Sequence, residues 1–226
     1  MSSLPYILTI GGLSLLLSSL LGCVGIQTTA PLTNPINSPV VQTAQAPTPQ
    51  SSPAQVKFKV EDKAAFELKL RPDGAKLVDA SDKEVARFKT DGAGKVKIKD
   101  GADRELGYIV PEKATWKVKS ADQSKVLYVL RRQQDGDYKL EDGADQPIYR
   151  IKARDYGFEL ETPAQQSLYK VKVKDGKISL RDRADKTVLS TKSQFAPIAM
   201  ACFGFDVLKQ EQKAALAYAV NRSGGQ

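Results

Sequence analysis

The chain has 226 residues, with 34 Lys and Arg against 26 Asp and Glu, and no His. The missing imidazole removes the commonest general base near neutral pH and every Ser-His or Cys-His nucleophile pair. The only two cysteines, Cys23 and Cys202, lie far apart in sequence and argue against a disulfide framework or a His/Cys metal cage. The length suits one domain with a real core plus accessory segments. The expectation is a protein that is not an enzyme and uses no cofactor or metal.

No Asp, Glu, Lys or Arg precedes Lys57, so the net charge of +8 falls wholly on the later part of the chain. Residues 1–22 read as an export signal: Tyr6 to Leu21 is dominated by Leu, Ile, Gly and Ser. The segment ends in Leu20-Leu21-Gly22-Cys23, which resembles the lipobox of bacterial lipoproteins. That resemblance implies diacylglycerol on the Cys23 thiol, cleavage before it, and a chain held on the cell envelope by its lipid, facing the periplasm or the exterior. An uncleaved anchor is an alternative, since Leu4 to Ile26 is long enough to span a bilayer. A cleaved signal without lipid is another. Residues 23–55, rich in Pro, Thr, Gln, Ser and Ala, hold too little apolar surface to offset chain entropy. They read as a disordered tether.

From residue 75 the sequence recurs every 20 to 22 positions. Six segments align on an apolar column, Leu77, Ile98, Val118, Leu140, Leu160 and Leu180. Two residues earlier stands another, Ala75, Val96, Trp116, Tyr138, Phe158 and Ile178, with mostly charged residues between. This alternation marks a strand with one buried face. A turn column follows (Asp79, Asp100, Ser120, Asp142, Thr162, Asp182), and an apolar residue returns at Val85, Leu106, Val126, Ile148, Leu168 and Val188. Each unit is a β-hairpin, six units make twelve strands, and Val56 to Leu70 resembles a further, irregular hairpin. Isolated hairpins are marginal in water, so residues 56–193 are expected to form a closed barrel or a solenoid.

Residues 194–222 break the pattern. Charge vanishes across Phe195 to Phe205, Asp206 is placed to cap a helix over 207–221, and Ala214 to Val220 is apolar on all sides. A helix apolar all round is buried all round, and its alanines make it slim enough for a barrel interior. The expected architecture is mostly β: an antiparallel closed barrel of about twelve strands around a buried hydrophobic C-terminal helix.

The hairpins of form x-Leu-x-Asp-x-x-Asp-x-x-Ile-Tyr-x-Ile-Lys, then Phe203-Gly-Phe-Asp-Val-Leu-Lys209 and Lys213-Ala-Ala-Leu-Ala-Tyr-Ala-Val220, resemble the tubby/LURP-one/phospholipid-scramblase superfamily over roughly residues 56–222. The resemblance implies a twelve-stranded barrel threaded by its C-terminal helix. It also implies work at membranes, with phosphoinositide headgroups bound by basic residues in the tubby members. No family site residue maps one by one onto this chain.

The lysine runs Lys95-Val-Lys-Ile-Lys99 and Lys170-Val-Lys-Val-Lys174 are candidate surfaces for anionic lipid or polymer, although a solvated outer face, with interleaved Asp and Glu, is the preferred reading of them. The D-x-x-D spacings lack the ligand number of a calcium loop and read as turns. Tyr108, Tyr128, Tyr149, Tyr169 and Trp116 suit strand packing better than base stacking, and no nucleic-acid partner is expected. Cys202 reads as a core residue. The leading expectation is a binding or structural module on the envelope. A lipid carrier or scramblase-like protein, which would need an apolar cavity beside the C-terminal helix, is the alternative, and an enzyme with a polar pocket is the third reading.

Overall fold

Fourteen antiparallel strands close into one barrel in the computed structural model, which describes residues 55–225 within a compact unit, Pro49–Gln226. The expected signal, Cys23 and all of the tether except Gln55 lie outside the described residues. The strands are β1 (Gln55–Val60), β2 (Lys63–Arg71), β3 (Gly74–Asp79), β4 (Glu84–Thr90), β5 (Val96–Asp100), β6 (Glu105–Glu112) and β7 (Thr115–Lys119). They continue as β8 (Val126–Arg132), β9 (Tyr138–Asp142), β10 (Pro147–Arg154), β11 (Gly157–Glu161), β12 (Ser167–Lys174), β13 (Lys177–Arg181) and β14 (Thr187–Thr191). Every strand pairs with its sequence neighbours, and β1 pairs with β14. The six repeats supply β3 to β14. The count is fourteen rather than about twelve because the irregular hairpin is not an appendage: β1 and β2 bury Val56, Phe58 and Leu68 and bridge β14 to β3. Gln55 already belongs to β1, so the barrel begins one residue before the expected boundary.

Alternating strand direction puts all six repeat turns, and the Glu61–Asp62 turn, at one end, termed the upper rim. The links between repeats and the start of β1 lie at the lower rim. The turns share one chemistry. Asp142 Oδ1 accepts the backbone N–H groups of Ala144 and Gln146 at 2.8 and 2.9 Å, and Asp79, Asp100 and Asp182 do the same two and four residues on. Ser120 and Thr162 hydroxyls accept only the later N–H, from Lys125 and Gln166. The second Asp adopts positive φ, 58° at Asp145 and 66° at Asp82, a region that Asp tolerates. Asp142→Ala is expected to cost about 1 kcal/mol through two lost backbone partners, whereas Asp145→Gly costs little because glycine suits that φ. Urea unfolding of both variants measures the contrast.

Register slips by one residue after each turn, for example between Leu77 and Val78 and between Leu180 and Arg181. The recurring apolar residue, Val85, Leu106, Ile148, Leu168 or Val188, is the unpaired residue of that bulge and packs half-buried against the core at the rim. In the third repeat the longer turn moves this role from Val126 to Leu127.

After β14 the chain turns into the lumen. α1 (Pro197–Ala201) begins on a proline, whose missing N–H costs nothing there. A 3-10 turn (Cys202–Gly204) continues it, and α2 (Gln210–Arg222) returns alongside. α1 lies against β11 to β13 and α2 against β3 to β7. Ala214 to Val220 are all buried, so the run that is apolar on every side is enclosed on every side. The helix starts at Gln210, not at 207, and Asp206 is not its cap. Lys209 N–H donates to Gln212 Oε1 at 3.0 Å instead, while Asp206 takes Tyr169 OH and Lys213 Nζ, each at 3.3 Å. The second lumen helix, α1, was not expected; its five residues are too few for a periodic signal.

Candidate anion-binding face

The barrel's outer surface is studded with Lys and Arg, and most of it is neutralised locally. The second Asp of each D-x-x-D turn reaches down to a strand cation: Asp82 to Lys69, Asp103 to Lys99 at 2.9 Å and to Arg87 at 3.5 Å, Asp145 to Arg131 at 3.8 Å. In the run Lys95–Lys99 every lysine has its carboxylate, Asp91, Glu105 and Asp103 respectively. Lys97 holds the Glu105 carboxyl below its ordinary pKa. Of the two lysine runs singled out in the sequence, this one is a balanced face.

The other run belongs to a larger surface. β12, β13, β14 and β1 are adjacent in the ring and contain no Asp or Glu. Their outward positions bring together Lys170, Lys172, Lys174, Lys177, Arg181, Lys57 and Lys59, with Lys192 just past β14. The register sets Lys172, Ser179, Ser190 and Lys59 in one row across the four strands. The two serines are 5% and 3% exposed, so they floor a depression between taller cationic side chains. Along β12 and β13, Lys174 faces Lys177 and Lys170 faces Arg181. Like charges directly opposite destabilise a sheet; the same pairing recurs at Lys97 and Lys89 and at Lys99 and Arg87, but there Lys97, Lys99 and Arg87 each have a carboxylate within reach.

Carboxylates sit only at the margins. Asp185 pairs with Lys172 at 2.8 Å and Arg181 at 3.2 Å, and the Lys172 ammonium holds its carboxyl below the usual value. Asp62, largely exposed, lies 3.6 Å from Lys177. Among the described residues, Lys57, Lys59, Lys170, Lys174 and Lys192 have no carboxylate within 4.0 Å. The residues before Gln55 include no Asp or Glu.

The barrel seam shapes the face. β1 and β14 share one register pair, Lys59 with Ser190, where β12 and β13 share five. Beyond it, Lys57 N–H donates to Ser193 Oγ at 3.3 Å. The slack leaves a cleft of about 480 Å³ bordered by Lys57, Lys59, Ser190, Lys177 and Lys192. A second of about 340 Å³ adjoins it between Lys172, Lys174 and Ser179. Beneath the seam, Phe58 and Phe195 meet edge to face at 5.3 Å and shut the lumen off. Concentrated positive charge over buried hydroxyl donors suits an anionic group. The chain has no imidazole to activate those hydroxyls as nucleophiles, and among the described residues no three carboxylates or thiols gather as a metal site.

Sequence reasoning found three of the eight cations of this face. The run Lys170–Lys174 was visible; Lys57, Lys59, Lys177, Arg181 and Lys192 join it only because the ring brings the two ends of the barrel sequence together. The recurring tyrosines have structural roles. Tyr128 OH donates to Val207 O at 3.2 Å, Tyr149 stacks on Phe205 at 5.7 Å, and Tyr169 binds Asp206, so three rim tyrosines hold the lumen loop. Burial pushes the Tyr149 and Tyr169 phenols up in pKa. Tyr108 instead lies on the outer face, its OH donating to Glu105 at 2.7 Å under Lys95 and Lys97. Trp116 fills the lumen beside Tyr138. Cys202 is fully buried, its thiol pKa pushed far up by desolvation, and it acts as a small core residue.

No family model matches the chain, and no curated protein matches it. Among solved structures, it is similar to a protein of Arabidopsis thaliana at 14% identity, covering 69% of this chain and 92% of that one with a TM-score of 0.36. It is also similar to BamB from Moraxella catarrhalis at 9% identity, covering 57% and 70% with a TM-score of 0.25. At these scores neither likeness carries an argument about family or function.

Proposed function

We propose that this protein is a non-catalytic binding module of the bacterial cell envelope, anchored through lipid on Cys23, whose barrel contacts anionic lipid headgroups or anionic polymer through the lysine face at its seam. The observation that carries the reading is the contiguous acid-free surface of β12, β13, β14 and β1, where cations outnumber carboxylates while the rest of the barrel is balanced. Kinship with the tubby/LURP-one/scramblase superfamily is part of the same proposal. The closed barrel with a buried C-terminal helix supports it, and fourteen strands in place of twelve is a departure from the pattern.

Binding of the mature chain to polyphosphate, and to vesicles with and without anionic lipid, tests the face. Affinity is expected to fall steeply with salt, since exposed charges more than about 8 Å apart are largely screened at physiological ionic strength. Binding that ignores salt overturns it. Mass spectrometry of the membrane-extracted protein tests the anchor: the expected mature N-terminus is Cys23 carrying lipid, and an intact Met1 rejects it.

A further inference from the structure

We propose that a cleft at the upper rim, separate from the lysine face, takes a single acyl chain whose anionic head meets Lys213. The cleft, about 340 Å³, opens between β2, β14 and the loop that enters α2. Its walls are apolar: Phe66, Phe203, Val188, Leu189 and Leu208, with the Tyr169 ring beside them. Phe66 and Phe203 are only half-buried although they sit in an aromatic cluster, Phe66 stacked on Phe58 at 4.7 Å and Phe203 at 5.3 Å from Phe66. Two further exposed aliphatics, Val60 at 41% and Val207 at 39%, belong to the same rim. An open apolar concavity with few polar groups at its mouth is the usual form of a site for an apolar ligand.

Charge selects the occupant. The polar groups lining the cleft are Gln210, Lys213 and the Tyr169 hydroxyl. Lys213 is held at 3.3 Å by Asp206, whose own side chain is 60% exposed and also takes the Tyr169 hydroxyl. Leu180 and Leu189, which line the cleft, are sequence neighbours of Ser179 and Ser190, which floor the lysine face on the opposite side of the same strands. Lys213 is the one charged side chain among the residues lining the cleft, which favours an anionic head over a neutral or cationic one. A lone methylene chain fits a concavity of this volume, where a folded partner would need a broad exposed surface.

Calorimetric titration of the full chain with dodecanoate, dodecanol and butyrate tests the proposal. Dodecanoate is expected to bind one per chain, dodecanol at least tenfold more weakly, and butyrate not measurably. Val188→Phe, which fills the cleft, is expected to weaken dodecanoate at least tenfold, and Val173→Phe at the lower rim to leave it unchanged, with both variants matching the parent thermal midpoint. Lys213→Met is expected to bring dodecanoate down to the affinity of dodecanol. Equal binding of dodecanoate by Val188→Phe and the parent overturns the site, and equal binding of dodecanoate and dodecanol by the parent overturns the role of Lys213. Polyphosphate binding is read on the same samples, so loss of the lysine-face reading leaves this result standing, and the reverse.

Discussion

Replacing Lys57, Lys59, Lys177 and Lys192 together by alanine is expected to weaken binding to polyphosphate or anionic vesicles by about three orders of magnitude. Each basic side chain near an anionic surface contributes about 1 kcal/mol, and about 1.4 kcal/mol is tenfold in affinity. The salt dependence should flatten in parallel. These side chains are exposed or half-exposed, and only Lys177 has a carboxylate nearby, so thermal stability should hold or rise as like charges are removed. The matched control is Lys95, Lys97 and Lys99 to alanine, which removes nearly as many cations from a face where each is already neutralised. Equal losses from the two sets would show that net charge, not the seam, governs binding.

Leu216→Ala is expected to lower stability by about 3 kcal/mol, the cost of a cavity at a fully buried leucine. Leu216→Asp places an unpaired charge in the lumen and should prevent accumulation of folded barrel. The size of the first effect follows from enclosure. α2 meets β3 to β7 on one side and α1 on the other, so little can relax into the space. Urea unfolding measures it, and a change below about 1 kcal/mol, the typical cost of an ordinary substitution, would mean that α2 does not stand in a closed ring.

The repeat was legible because alternation and turn chemistry are local. Phe158 and Leu160 lie two residues apart on one face whatever the barrel does, and Asp142 makes its Asx bonds within five residues of itself. The apolar residue after each turn was legible as apolar but not as a bulge. Val188 is set apart from its neighbours only by pairing across two strands, which no single-strand pattern contains. The second Asp of each turn was read as turn chemistry alone. For Asp82 and Asp145 the partner lies on the strand before the hairpin, Lys69 and Arg131, thirteen and fourteen positions earlier, so that charge role was invisible, whereas Asp103 with Lys99 and Asp185 with Arg181 pair four positions apart.

The two lysine runs look alike in sequence and differ in the fold. Lys97 reaches Glu105 on its partner strand at 2.7 Å, whereas Lys174 faces Lys177 and has no carboxylate in reach among the described residues. Asp206 shows the same limit from the other direction. It is a good cap residue in a good position, but the rim tyrosine Tyr169 and Lys213 claim its carboxylate, and the helix starts later on a backbone-to-Gln212 bond.

The amino-acid sequence by itself determined the strands, their inward faces, the turns and the burial of the alanine-rich helix, because periodicity and local hydrogen bonding act over a few residues. Only the tertiary structure decided that the first hairpin closes the ring, that β1 meets β14 at a single pair, and that cations more than a hundred positions apart form one face. Ring closure joins the ends of a chain, and nothing local in either end records which strand it will meet.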